Sequence, residues 1–195
     1  MSLISITLIL FLIMDPLGNV AYFIDVLSHI PPKQQRWVIV REMFIALGVI
    51  VAFYFIGDLI LDFLQVSDSA VSLTSGVILF LVSIKIIFPN SKNSRLQAHF
   101  DSEPFIVPLA IPLIAGPALL ATVMLFAHSQ GGIVLGAIII AWLLASLVLV
   151  SSPFLMRYLG RNGLLAIEKL MGMILILLAI QRFMEGITLF MEKNA

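Results

Sequence analysis

The sequence predicts an all-α integral membrane protein: six transmembrane helices forming two inverted three-helix repeats, with the first and fourth helices broken near mid-membrane. Three observations predict it. The chain is 61% hydrophobic and 11% charged, with a mean hydropathy of +1.14, whereas soluble domains carry about 25% charged residues. Its apolar residues come in runs long enough to cross a hydrocarbon core of about 30 Å, which takes about 20 residues of helix. Each half also carries one strong interruption, Asp15-Pro16 in the first and Gly116-Pro117 in the second.

The apolar runs fall at residues 2–28, 37–64, 69–88, 105–128, 132–156 and 164–191. All are expected to be helices, because a backbone in hydrocarbon must satisfy its own hydrogen bonds and the period-2 alternation of a barrel is absent. The first run lacks the basic residues that precede a cleaved signal, and Asp15-Pro16 follows Leu3–Met14 directly, so it reads as mature protein. Pro31-Pro32 separates the first two spans. Pro89-Asn90-Ser91 closes the third and opens the long connection to Pro104, which holds Lys92, Arg95, Asp101 and Glu103. Gly131-Gly132 precedes the fifth span, and Gly160 with Asn162-Gly163 precedes the sixth. These lengths leave one transmembrane domain, 1–195: repeat one 1–88, a cytoplasmic connection 89–104, and repeat two 105–195.

Basic residues near membrane ends set orientation. Lys33, Arg36, Arg41, Lys85, Lys92, Arg95, Arg157, Arg161 and Lys169 fall on one side, and Arg182 and Lys193 on the other. The richer side is expected in the cytoplasm, with both termini periplasmic and Asp58, Asp62 and Asp68 outside. Re-entrant first and fourth segments would divide the basic residues eight against three, so six full spans are preferred.

The repeat rests on two registers. Leu12–Pro16 lies over Leu113–Pro117 at an offset of 101 residues, and Gly76–Leu79 over Gly172–Leu175 at an offset of 96. Coincidences of Ile and Leu mean little in such a chain; the paired Pro16 with Pro117 and Gly76 with Gly172 mean more. Three spans being an odd number, the second copy inserts upside down, as in secondary transporters whose site lies at the repeat interface.

Asp15 falls midway along the first span, where a carboxylate is costly unless it faces protein, water or a ligand. Asp is a good N-cap and Pro suits the first helical position, so Asp15-Pro16 reads as a helix starting inside the membrane. Pro16 supplies no N–H, which leaves the Leu12 carbonyl without its usual partner. Gly116-Pro117 repeats the chemistry, with Pro108 and Pro112 weakening the preceding half. Two helix N-termini would attract an anion, while freed carbonyls with Asp15 and Asn19 would suit an ammonium group or small cation. Asp15, Pro16, Gly18, Asn19, Gly116 and Pro117 are therefore the candidate binding residues for a small zwitterionic or ionic solute. The plainer reading is a pair of kinked continuous helices, with Asp15 and Asn19 bonded to neighbouring backbone.

Asp15-Pro16-Leu17-Gly18-Asn19 and Pro112-Leu113-Ile114-Ala115-Gly116-Pro117 resemble the paired signatures of the MarC family of bacterial and archaeal inner-membrane proteins. The resemblance covers essentially the whole chain. It implies a multi-pass location in the bacterial inner membrane, and, through a branch classed as neutral amino-acid transporters, substrates such as glycine or alanine. Ala118 departs from the pattern where many members have glycine, which would tighten the fourth-span break on one side.

Other residues have ordinary expectations. Lys85 should snorkel to the cytoplasmic interface, and Arg182 with Glu185 should form an ion pair at the outer one. Asp58 and Asp62 share a face at the outer end of the second span. His29, His99 and His128 have no second ligand at a metal-binding interval, and no cofactor is expected. Gly132, Gly136, Ala137, Ala141 and Ala145 permit close packing within the chain or in a homo-oligomer. Eleven basic and eleven acidic residues argue against a nucleic-acid partner, and the absence of cysteine removes thiol chemistry.

The lipid bilayer is the expected surrounding, and the expected function is secondary transport or export of a small solute. The alternatives are a lipid-head-group translocase or a membrane protein without transport activity. An intramembrane enzyme lacks support: there is no H-E-x-x-H, no nucleophile-elbow pattern, and no second midplane Asp to pair with Asp15. No nucleotide-binding motif points to ATP.

Overall fold

Ser2 accepts the Ser5 N–H with its hydroxyl and so starts helix α1, Leu3–Met14, which reaches as far as the first charged side chain, Asp15. Helix α2, Pro16–Leu27, follows at once. Helix α3, Pro32–Leu64, has proline in its first turn, where no N–H is needed, and stops at Gln65 in the left-handed conformation. Helix α4, Asp68–Ile87, is capped by Ser67 and has Asp68 in its first turn and Lys85 in its last, the charges that its dipole favours. Helices α5, Pro117–Gln130, and α6, Ile133–Val150, are divided by Gly131, whose φ of 61° suits glycine. Helix α7, Ser152–Asn194, completes the chain. The computed structural model describes residues 1–27, 31–88 and 114–194, and among these there is no β-strand.

The protein is thus all-helical. Five stretches are long and apolar enough to cross a membrane: Leu3–Ile24, Gln34–Leu64, Asp68–Ile87, Ile133–Val150 and Ser152–Lys193. The first half of the expected fourth span, with Pro108 and Pro112, lies outside the described residues, as do His29, His99 and the connection from Pro89 to Pro104.

Two expected boundaries need correction. The second span, expected from residue 37, begins at Pro32, because polar residues continue the helix past the apolar run and Gln35 donates its amide to the Leu27 carbonyl at 2.9 Å. The fifth span, expected to reach 156, ends at Val150. Pro153 suits the first turn of a new helix and cannot extend an old one, so α7 starts at Ser152. The connection expected at 160–163 shrinks to Gly160 alone (φ 66°, ψ 175°), with Asn162 and Gly163 helical.

Helices α4 and α7 pack along each other in opposite directions. A β-carbon on Gly76 would sit 2.8 Å from the Phe183 nitrogen and 2.9 Å from the Ala179 oxygen, and one on Gly172 would sit 2.9 Å from side-chain atoms of Ile86 and Ile87. Contacts therefore run down α7 as they run up α4. Helix α1 packs on α6, whose Ala137, Ala141 and Ala145 are buried, so this ladder serves packing within the chain. Trp142 of α6 donates its indole N–H to the Met43 carbonyl of α3 at 2.7 Å. Large apolar side chains such as Leu59, Phe63 and Leu177 point outward, which hydrocarbon tolerates and water would not.

Candidate functional site at the Asp15 interruption

Asp15 lies about 18 Å of helix rise from Leu3, midway along the first apolar span. It serves two helices at once. Its backbone adopts the left-handed conformation (φ 44°, ψ 54°), and its N–H donates to the carbonyls of Phe11 and Leu12 at 3.2 and 3.1 Å, closing α1. Its Oδ1 accepts the Gly18 N–H at 3.1 Å, capping α2. Asp is one of the few residues besides glycine that enters this region at modest cost.

The surrounding polar groups are largely satisfied. Asn19 donates its side-chain amide to the Met14 carbonyl at 3.1 Å, and its own N–H goes to the Asp15 carbonyl at 3.0 Å. The Leu12 carbonyl, expected to be freed by Pro16, accepts from Asp15 instead. That expectation is corrected: left-handed Asp15 brings its N–H within reach of two carbonyls. Asp15 Oδ2 is different. It is buried and has no hydrogen-bond partner among the described residues, in a residue only 5% exposed. Glu168 on α7 lies within electrostatic range of it. Gly18 is required by the same carboxylate: a β-carbon there would overlap Oδ2 and lie 2.8 Å from Cγ.

The second signature is described only from Ile114. Gly116 precedes α5 with extended backbone (φ −76°, ψ 161°) and brings no capping side chain, and its carbonyl accepts from Leu120 at 3.0 Å. Ile114, Ala115 and Ala118 share one continuous buried cluster with Met14, and α1 packs against α5. Pro16 is buried, whereas Pro117 is exposed. No hydrogen bond joins the two interruptions among the described residues. Ala118 accepts the Thr122 hydroxyl on its carbonyl at 2.8 Å, so this departure from the glycine pattern sits inside an ordinary helical turn.

Away from the interruption, Arg182 donates to Glu185 at 2.9 Å, with its guanidinium 4.5 Å from the Phe126 ring centre, and is nearly buried. Lys85 is exposed at the end of α4. Asp58, Asp62, Asp68, His128 and Lys193 line a cavity of about 330 Å³, where His128 Nδ1 is 3.5 Å from Asp58 Oδ1. The N-terminal amine donates to Gln130 at 3.0 Å, at this same end of the molecule.

Glu42 carried no role in the sequence reading. It is completely buried, with Arg41 Nε and Nη2 donating to its Oε1 at 3.0 and 2.9 Å, while Oε2 is buried without a hydrogen-bond partner among the described residues. The signal was present: an acid five residues inside the apolar run 37–64, next to an arginine counted as interfacial.

A family model described as MarC family integral membrane protein matches residues 1–191. The chain is similar to the UPF0056 inner membrane protein YhgN of Escherichia coli (strain K12), 46% identical over 194 residues that cover 98% of each chain. It is also similar to a UPF0056 membrane protein of Buchnera aphidicola subsp. Baizongia pistaciae, 44% identical over 95% of this chain and 96% of the relative. A UPF0056 membrane protein of Chlamydia pneumoniae is 32% identical over 96% and 94%. No solved structure matches the chain significantly.

Proposed function

The chain belongs to the MarC family of integral membrane proteins and is a multi-pass inner-membrane protein, and from that premise we propose that it is a secondary transporter or exporter of a small solute such as a neutral amino acid. The solute sits at the Asp15 interruption, with Pro16, Gly18 and Asn19 shaping one side and Gly116 with Pro117 the other. The observation that carries the reading is Asp15 Oδ2, a carboxylate oxygen midway along an apolar span with no hydrogen-bond partner among the described residues. A charge so placed is tolerated when a cationic group completes its shell, and the ammonium of an amino acid is such a group. The α5 N-terminus, which Gly116 leaves without a capping side chain, suits the carboxylate end. The protein acts without cofactor or catalytic residue.

Gly76 of α4 and Gly172 of α7, paired in the sequence repeat, both lie in the antiparallel α4–α7 contact, Gly76 against Ala179 and Phe183 and Gly172 against Ile86 and Ile87, as the inverted repeat of the proposed transporter would place them. The basic residues then face the cytoplasm and the termini the periplasm.

Uptake of labelled glycine and alanine into proteoliposomes, compared with Asp15→Asn, tests the reading. Asparagine tolerates the left-handed backbone and keeps a capping oxygen, so the substitution isolates the charge. Flux is expected to fall about tenfold or more, equivalent to about 1.4 kcal/mol; unchanged flux removes Asp15 from the mechanism. Lipid-head-group translocation is the second reading, favoured by an apolar groove of about 260 Å³ between α4 and α7, beside Gly76, Phe80 and Phe183. Lipid scrambling without amino-acid flux would select it.

A further inference from the structure

Helix α6, Ile133–Val150, contains no charged residue and rises about 27 Å over its 18 residues, close to the thickness of a hydrocarbon core. Starting from the Gly131 end, it therefore delivers the chain to the opposite membrane boundary at Ser151. The stretch that follows, residues 152–159 of α7, is set off from the rest of that helix. Gly160 interrupts α7 by a kink with φ 66° and ψ 175°, a conformation open almost only to glycine. A β-carbon there would meet nothing within 4 Å, so the glycine serves the backbone and not a close contact.

This short stretch has two faces. Ser152 is buried, and Leu155 and Met156 pack against the core. Arg157 and Tyr158 follow Phe154 by three and four residues, so the three share the other side of the helix. All are exposed, the rings of Phe154 and Tyr158 belonging to residues 61% and 72% accessible. The two rings lie 4.5 Å apart between centres at an interplanar angle of 45°. Arg157 has no ion pair or hydrogen bond among the described residues, and no acidic residue occurs from 114 to 167.

The exposed face fits neither bulk surrounding. Two aromatic rings so open are costly in water, and an unpaired guanidinium is costly in hydrocarbon. The headgroup layer suits both, and it is where aromatic residues and short interfacial helices collect in membrane proteins. Charge then selects the headgroup. A guanidinium holds phosphate oxygens through paired N–H donors, and with no acid beside it in the sequence it favours a lipid of net negative charge over a zwitterionic one.

We propose that residues 152–159 form an interfacial anchor that binds an anionic phospholipid. The Arg157 guanidinium takes the phosphate, and the rings of Phe154 and Tyr158 lie along the glycerol and the upper acyl chains. In the proposed orientation this lipid belongs to the cytoplasmic leaflet. The anchor needs only that the chain spans a membrane, and it stands whether or not a solute is carried.

Native mass spectrometry of the full chain, released from nanodiscs of phosphatidylglycerol and phosphatidylcholine with matched acyl chains, reads which lipids stay bound. Wild type is expected to retain phosphatidylglycerol in preference. Arg157→Gln should lower that preference about fivefold, which corresponds to about 1 kcal/mol for one basic residue at an anionic surface. Arg157→Lys should keep most of it because the charge remains, and Lys193→Gln, at the other end of α7, should match wild type. Phe154→Ala combined with Tyr158→Ala should reduce the amount of lipid retained. Equal retention of the two lipids by wild type overturns the proposal, as does a preference that Arg157→Gln leaves intact. Displacement of the lipid by soluble glycerol 3-phosphate would reveal a site for a free phosphate, and a lipid-free dimer that dissociates in the double alanine variant would reveal a docking surface for a second copy; either result overturns it as well.

Discussion

Asp15 holds its left-handed backbone because one residue closes α1 with its N–H and opens α2 with its carboxylate, and Gly18 is the residue that makes room for it. The carboxylate lies over Cα of Gly18, where a β-carbon would overlap Oδ2. Gly18→Ala must therefore push the carboxylate off its cap, and the expected cost is about 1–2 kcal/mol, the worth of an N-cap. Thermal unfolding in detergent checks it: the alanine variant should melt lower than wild type, whereas Gly48→Ala, whose β-carbon meets nothing within 4 Å, should melt at or slightly above it. The motif Asp-Pro-x-Gly was readable in the sequence as a cap, because Asp and Pro each have one strong positional preference. The double role of Asp15 was not, since a left-handed cap depends on how α1 arrives. Glu42 was passed over for a related reason: a charged pair near the start of a span reads as interfacial until burial shows which member faces inward.

At the scale of elements, glycine marks where helices touch. The α4–α7 contact leaves so little room at Gly76 that a β-carbon would strike backbone, which cannot rotate away, whereas at Gly172 it would meet side-chain γ-carbons of Ile86 and Ile87, which yield more readily than backbone. Gly76→Leu should accordingly cost about 1–3 kcal/mol or more and loosen the contact, with a smaller loss for Gly172→Ala. Resistance to unfolding by increasing SDS measures both. A weaker effect at Gly76 than at Gly172 would mean that the helices do not pack in this register. The sequence pointed to both glycines through their matching places in the two halves. The expected break at Gly160 is present, with non-helical φ and ψ between two helical stretches of α7, while the further boundary at Ser152 was missed because Pro153 looked weaker than the glycines and yet starts a helix there.

For the whole molecule, the arrangement of ends bears on whether the first segment crosses or turns back. The N-terminal amine bonds to Gln130 at the α5–α6 turn, and the Tyr54 hydroxyl donates to the Gly131 carbonyl from the last third of α3. Asp58, Asp68, His128 and Lys193 gather around one cavity. The start of α1, the ends of α3 and α5, the start of α4 and the end of α7 thus share one face. Since α3 begins at the opposite face, the chain from Met1 to Pro32 traverses the molecule once, as six-span alternation requires. With nine basic residues against two, the proposed orientation has that shared face outside. The chain contains no cysteine, so single-cysteine reporters at exposed Gln34, Gln65 and Tyr158 can be read without background. In intact cells a membrane-impermeant maleimide should label Gln65→Cys, while Gln34→Cys and Tyr158→Cys react only after permeabilisation. Re-entrant first and fourth segments would put residues 34 and 158 on opposite sides, so labelling of one without the other would overturn the six-span arrangement, and with it the antiparallel setting of the two halves around Asp15.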